Sequence, residues 1–167
     1  TGSIFANGSS NTVTISSSAT LAPGVAGSNN GAGVLTINGN LSMSSGSVLE
    51  VDLAGTTAGT GYDQVLVNGT VDVTNATITP TLRYTPASGA SYVIINNDGS
   101  DSITGTFTGL SQGGTLNSQG TVTALTGSYS GGTNSNDFTL TVPTNDTPTI
   151  SNLNGDSVAW AGVGNYV

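Results

Sequence analysis

The sequence contains no histidine, no cysteine and no lysine, and Arg83 is its single basic residue. Each absence removes a class of chemistry. Without histidine and cysteine there is no Ser-His-Asp triad, no thiol nucleophile, no zinc site of the usual kind and no disulfide staple. Without lysine there is no Schiff base. One guanidinium cannot neutralise a row of phosphates, which excludes nucleic-acid binding, and it provides no attraction to anionic lipid. An enzyme built from this chain would have to work with carboxylates, hydroxyls and that guanidinium. No apolar run approaches the roughly twenty residues of a membrane helix. The opening residues Thr1-Gly2-Ser3-Ile4-Phe5 have neither a basic region nor an apolar stretch, so no signal peptide is expected there.

Charged residues make up 6% of the 167-residue chain, and nine acidic residues give it a net charge of −8. Roughly half of the sequence is Gly, Ser, Thr or Asn, far from an ordinary soluble composition. Disorder of the usual kind combines low hydrophobicity with high charge, whereas 35% of this chain is apolar. Those apolar residues are mostly Val, Ile, Leu and Ala in short alternating runs, and the long Ala, Leu, Glu and Lys stretches that helices need are missing. The expected class is all-β, and at this length one domain is the default. Scarce cations, abundant small polar residues and an acidic balance suit an extracellular protein.

Alternation places strands at Val13 and Ile15, Leu35 and Ile37, Leu41 and Met43, and Leu49, Val51 and Leu53. Further strands are expected at Val65 and Val67, Val71 and Val73, Ile78 and Leu82 around Pro80, Tyr92-Val93-Ile94-Ile95, and Phe138, Leu140 and Val142. One template occurs twice: Leu35-Thr36-Ile37-Asn38-Gly39-Asn40-Leu41-Ser42-Met43 returns 30 positions later as Val65-Leu66-Val67-Asn68-Gly69-Thr70-Val71-Asp72-Val73. A repeat of that length marks solenoids and arrays. The Asn-Gly-x connector itself admits two structures. As a hairpin loop it would pair Ile37 with Leu41 and Leu35 with Met43; as a solenoid corner it would stack each segment on its equivalent one coil away. Asn and Gly tolerate positive φ in either case. Low charge and few aromatics (5%) favour the solenoid, because a sandwich of this size leans on a packed aromatic core. The antiparallel β-sandwich is the alternative.

From Ala19-Thr20-Leu21-Ala22-Pro23-Gly24, and again from Gly33 through Val48-Leu49-Glu50-Val51-Asp52-Leu53 to Gly61-Tyr62-Asp63-Gln64-Val65, the chain resembles the passenger-associated transport repeats of bacterial autotransporters and large surface adhesins. The resemblance is specific over about residues 19–73 and weaker to about 142. It implies a right-handed parallel β-helix displayed outside a bacterial cell, and such repeats carry no catalytic residues. Nothing here reads as the membrane β-barrel of an autotransporter. Residues 148–167, from Pro148-Thr149-Ile150 onward, resemble the first strand of a cadherin-like or other Ig-like module. The expected organisation is therefore a solenoid over 1–142, a linker over 143–147 and the start of a second module, within a longer surface protein.

Two acidic groupings are candidate sites. Glu50 and Asp52 share one strand face at i and i+2, the spacing two carboxylates of an inverting hydrolase could use. Such an enzyme of the β-helix type would need a cation for an acidic sugar, and Arg83 is more readily paired with a nearby carboxylate. A solvated polar face is the plainer reading. Asn96, Asn97, Asp98 and Asp101 form the densest oxygen cluster, chemically suited to calcium through Asn96, Asp98 and Asp101, although an Asx-rich turn explains the same residues. Asp146 and Asp156 flank the expected junction, where cadherin-like modules bind calcium. Asn7, Asn40, Asn68, Asn75 and Asn145 open Asn-x-Ser/Thr triplets, and Tyr62, Tyr84, Tyr92, Tyr129, Trp160 and Tyr166 are the aromatic residues available to stack on sugars. The expected function is a non-catalytic structural or adhesive segment whose partners are cell-surface or matrix polymers, or copies of itself. In the second case the run from Ile4 to Ile15 would add as a strand to a neighbour in a filament, sheath or surface layer.

Overall fold

The computed structural model describes residues 2–5 (as backbone), 11–24, 31–121 and 123–144. Among these the chain forms fourteen strands and three sheets, and it visits the sheets in turn. A first pass lays down β1 (Gly2–Phe5), β2 (Thr12–Ile15) and β3 (Thr20–Leu21). A second lays down β4 (Val34–Asn38), β5 (Asn40–Met43) and β6 (Val48–Leu53), and a third β7 (Gln64–Val67), β8 (Val71–Asp72) and β9 (Thr77–Leu82). The fourth begins with β10 (Ser91–Asn97), passes a single bridge from Thr104 to Asp72, and reaches β11 (Thr115–Asn117) and β12 (Gln119–Gly120). The chain then folds back through β13 (Ala124–Gly131) and β14 (Asp137–Thr141).

Each strand pairs with its counterpart in the next pass, in parallel. In the first sheet β1, β4, β7 and β10 are neighbours, with Leu35 opposite Val65 and Val65 opposite Ile95. In the second, Val13 faces Leu41 and Leu41 faces Val71. In the third, Leu21 faces Leu49, Leu49 faces Ile78, and β12 continues the ladder from β9. The Asn-Gly-x connector is thus a corner between two sheets. Ile37 and Leu41 belong to different sheets, so the hairpin pairing does not form. The antiparallel element is confined to β10, β14, β13 and β11, which makes the first sheet mixed.

Alternation does the sorting. Leu41, Met43, Leu49, Val51, Leu53, Val65, Val67, Val71, Val73, Ile78 and Leu82 point inward and are buried, while Glu50 between them is exposed. Proline is tolerated in β9 because β12 meets that strand at Thr81 and Leu82 alone, so the ladder on that side asks no donor of Pro80. Between the second and third sheets the corner repeats with a left-handed residue in each pass: Ser18 (φ 66°), Gly46 (φ 80°) and Asn75 (φ 58°). Ser18 donates its N–H to the Gly46 carbonyl and Gly46 donates to the Asn75 carbonyl, both at 3.1 Å, so the corners stack as the strands do.

The folded-back strands close one end of the core with aromatic side chains. Phe107 and Phe138 meet edge to face at 5.0 Å, Tyr129 packs on Phe138 at 4.8 Å, and Tyr129 donates to the Leu110 carbonyl while accepting the Phe107 N–H, each at 2.8 Å. Burial falls toward the first pass, where Val13 and Ile15 are only half-buried although their counterparts Val71 and Val73 are fully buried. No helix among the described residues is long and apolar enough to cross a membrane.

This sorting makes neighbouring positions energetically unlike. Leu49→Ala, which empties a fully buried site, is expected to lower unfolding free energy by about 2–5 kcal/mol, whereas Glu50→Ala one residue on stays within about 0.5 kcal/mol. Denaturant titration measures both. Equal losses at the two positions would show that β6 does not have an inner and an outer face.

Candidate functional site

The outer face of the third sheet carries a groove of about 330 Å³ lined by Glu50, Asp52, Asp63, Thr79, Thr81 and Arg83 among others. In-register pairing assembles it: Glu50 lies opposite Thr79, and Asp52 opposite Thr81. Arg83, the residue after β9, brings Nη2 to 2.6 Å and Nε to 2.7 Å from the same oxygen, Asp52 Oδ1. The pair is partly exposed, at 49% and 21%, which places it in the class of surface ion pairs worth about 0–1 kcal/mol. Glu50 and Asp52 do share a face as their spacing requires, but the guanidinium occupies Asp52.

Asp63 is the component that sequence reasoning missed. It ends the loop between β6 and β7 and is 2% exposed. Its Oδ1 accepts the Gly33 N–H at 2.7 Å and its Oδ2 accepts the Asp52 N–H at 2.8 Å, so one carboxylate ties the entry of β4 to the far end of β6. Burial pushes its carboxyl up to about 6, the two N–H donors hold it back, and Asp52 and Arg83 act in opposite directions with smaller effect. An acidic residue after Gly61-Tyr62 reads as a solvated turn, and no local pattern reveals a partner 30 positions away.

The expected calcium residues are only partly brought together. Asp98 and Asp101 are exposed in the turn after β10, but Asn96 lies half-buried on the outer side of that strand. The inward residue is Asn97, because a bulge between Val93 and Ile95 advances the alternation by one, leaving Ile94 and Ile95 both buried. Asn97 donates its Nδ2 to the Asp101 carbonyl at 2.7 Å and its backbone N–H to Asp137 Oδ1 at 2.9 Å. Burial raises the Asp137 carboxyl and that N–H lowers it. Among the described residues no three acidic side chains converge as metal ligands.

Other candidates have structural partners. Asn68 donates to Asn38 Oδ1 at 2.7 Å, and Asn40 Oδ1 accepts the Thr70 N–H at 2.9 Å; Asn75 supplies the left-handed corner. Tyr62 and Tyr92 are core residues in edge-to-face contact at 5.4 Å, and the half-buried Tyr84 hydrogen-bonds through its hydroxyl to that of Tyr92. Tyr129 belongs to the aromatic cluster. Asn7, Asn145, Asp146, Asp156, Trp160 and Tyr166 lie outside the described residues, as do the linker from residue 145, the 148–167 module and residues 6–10 of the proposed edge run.

What this groove offers is hydroxyls, carboxylates and one guanidinium on a rigid sheet, a surface suited to hydrogen-bonding a polar ligand. No family model matches the chain, and no solved structure matches it. Over 123 residues the chain is 37% identical to a curated protein of Brucella suis biovar 1 (strain 1330) named Adhesin BmaC autotransporter. The match takes in 70% of this chain and 3% of that protein, so the chain spans a small part of its relative.

The buried Asp63 has a pH signature. Because its carboxyl is raised on folding, the native state holds a proton where the unfolded state has lost it. That contribution is complete below the ordinary value of 3.8 and is lost as pH rises through about 6. The melting temperature is therefore expected to fall between pH 4 and pH 6. Asp63→Asn, with one acceptor for two N–H donors, should melt lower throughout but with a flatter pH dependence across that window. A slope unchanged by the substitution would place the titration elsewhere.

Proposed function

We propose that this chain is a non-catalytic structural or adhesive segment of a secreted bacterial cell-surface adhesin, of the kind exported as an autotransporter passenger. The observation that carries this reading is the 37% identity to the autotransporter adhesin over 70% of the chain. The architecture accords with it. Three passes whose strands pair with their counterparts are read as coils of a parallel β-helix, and the strong preference of parallel crossovers for one hand supports a right-handed one. The twofold template at Leu35–Met43 and Val65–Val73 favours the passenger-associated transport repeat as the unit. The role of residues 148–167 as the first strand of a cadherin-like or Ig-like module rests on their sequence.

Mechanically, backbone ladders between coils make a stiff body that needs little side-chain charge. Such a segment holds binding surfaces away from the cell and presents its own polar faces, the groove at Glu50 and Arg83 included, to cell-surface or matrix polymers. Its lack of histidine, cysteine and lysine, and the engagement of Asp52 by Arg83, support a passive role.

An antibody raised against residues 31–144 should label intact cells of the organism that carries the protein, and in-frame deletion of that segment should reduce attachment to matrix-coated surfaces. Labelling that appears only after permeabilisation, with attachment unchanged by the deletion, would remove the adhesin reading.

A further inference from the structure

We propose that the groove on the outer face of the third sheet is a subsite for one unit of an amino sugar, which it takes by the protonated amine on Glu50 and by hydroxyls on Thr79, Thr81, Gln119 and Arg83. Three carboxylates and one guanidinium line the groove, and their charges do not cancel. Asp52 is matched by Arg83, which spends Nε and Nη2 on its Oδ1. Asp63 is 2% exposed and each of its oxygens accepts a backbone N–H, so its charge is already answered. Glu50 is exposed and, among the described residues, makes no hydrogen bond or ion pair. One uncompensated carboxylate therefore remains in the groove, on a chain of net charge −8 that attracts cations and repels acidic sugars.

The polar groups around that carboxylate are spaced for a sugar ring. Thr79 lies opposite Glu50 on the neighbouring strand, and Thr81 lies between Asp52 on one side and Gln119 on the other. Strands stand about 4.8 Å apart and same-face residues about 7 Å apart along a strand, so these groups fall within reach of one pyranose ring and its substituents. Hydroxyl and amide groups both donate and accept, as sugar hydroxyls do, and the guanidinium keeps N–H donors beyond those bonded to Asp52. A volume of about 330 Å³ is at the small end of ligand pockets and suits a single ring. A lysine side chain is the poorer occupant, because its long methylene stem needs an apolar wall. The apolar residues of the lining are Ala22 and Val51, and Val51 turns its side chain into the core.

The amine would meet a carboxylate and a hydroxyl carried by strands of adjacent passes, so recognition exists only in the paired fold. Acetylation of that amine removes its charge and adds bulk, which makes the free amine the determinant. That the sugar belongs to a surface or matrix polymer rests on the adhesin reading. That the groove takes an amino sugar rests on its own residues, and the purified chain tests it separately.

The test is a heteronuclear NMR titration of the purified chain with a glucosamine trisaccharide at mildly acidic pH, beside its fully N-acetylated counterpart and trilysine. A weak complex is expected, with a Kd of about 1 mM, because one charge-assisted hydrogen bond and several neutral ones act without aromatic stacking. The amide signals of Glu50, Thr79, Thr81 and Gln119 should shift, and the acetylated sugar and trilysine should bind at least about tenfold more weakly. Glu50→Gln should weaken binding to the same extent. Asp98→Asn removes the same charge from the turn after β10, which the buried Asn136 amide fills and which lies outside the groove, and should leave binding unchanged. Equal losses in the two variants would reduce the effect to the attraction of a polycation for an acidic protein. That outcome, no shift at about 10 mM sugar, or equal binding of the acetylated sugar or of trilysine, overturns the proposal.

Discussion

Everything in this structure depends on in-register parallel pairing between successive passes of the chain. Parallel neighbours cannot be joined by a tight turn and need a long crossover. Here the crossover is the rest of the pass: leaving β4, the chain builds a strand in each of the other two sheets before it returns as β7. The 30-residue separation of Leu35 and Val65 is therefore set by geometry, as the length of one pass through the three sheets. Because the ladders satisfy the backbone, side chains have only to sort inward or outward, and Thr, Ser and Asn on the outside suffice. A charged fraction of 6% is adequate for such a body.

The same pairing builds the polar features. Asn68 against Asn38, Thr70 against Asn40, and Glu50 beside Thr79 are all contacts between passes. Asp63 goes further by joining two strand ends through one buried carboxylate. Where the parallel ladder stops, β13 and β14 fold back and bring Tyr129 and Phe138 onto Phe107. Aromatic residues are scarce in this chain, and several of those described are gathered at this closure.

How much of this was legible in the sequence follows from the range of each interaction. The strands and their inner faces were readable because alternation is local: Leu49, Val51 and Leu53 could be assigned inward without a partner. The Asn-Gly-x connector could not be resolved locally, since hairpin and corner ask the same of Asn38 and Gly39, and the decision came from pairing 30 positions away. The Arg83 partnership with a carboxylate was legible from the scarcity of cations. Asp63 and Asn136 were not, because a polar residue in a loop is buried only when a distant pass covers it. Asn96 was preferred to Asn97 because a composition cluster carries no parity, and the bulge near Val93 that reverses the parity has no sequence mark of its own.

The most direct measurement of the stacked arrangement uses the natural absence of cysteine. In Asn38→Cys/Asn68→Cys the two thiols replace side chains that hydrogen-bond to each other across adjacent passes, within the spacing a disulfide requires. The account predicts rapid intramolecular oxidation of this pair and none of Thr36→Cys/Ser42→Cys, whose positions belong to different sheets but would face each other in a hairpin around Gly39. Oxidation of the second pair with the first left reduced would contradict it.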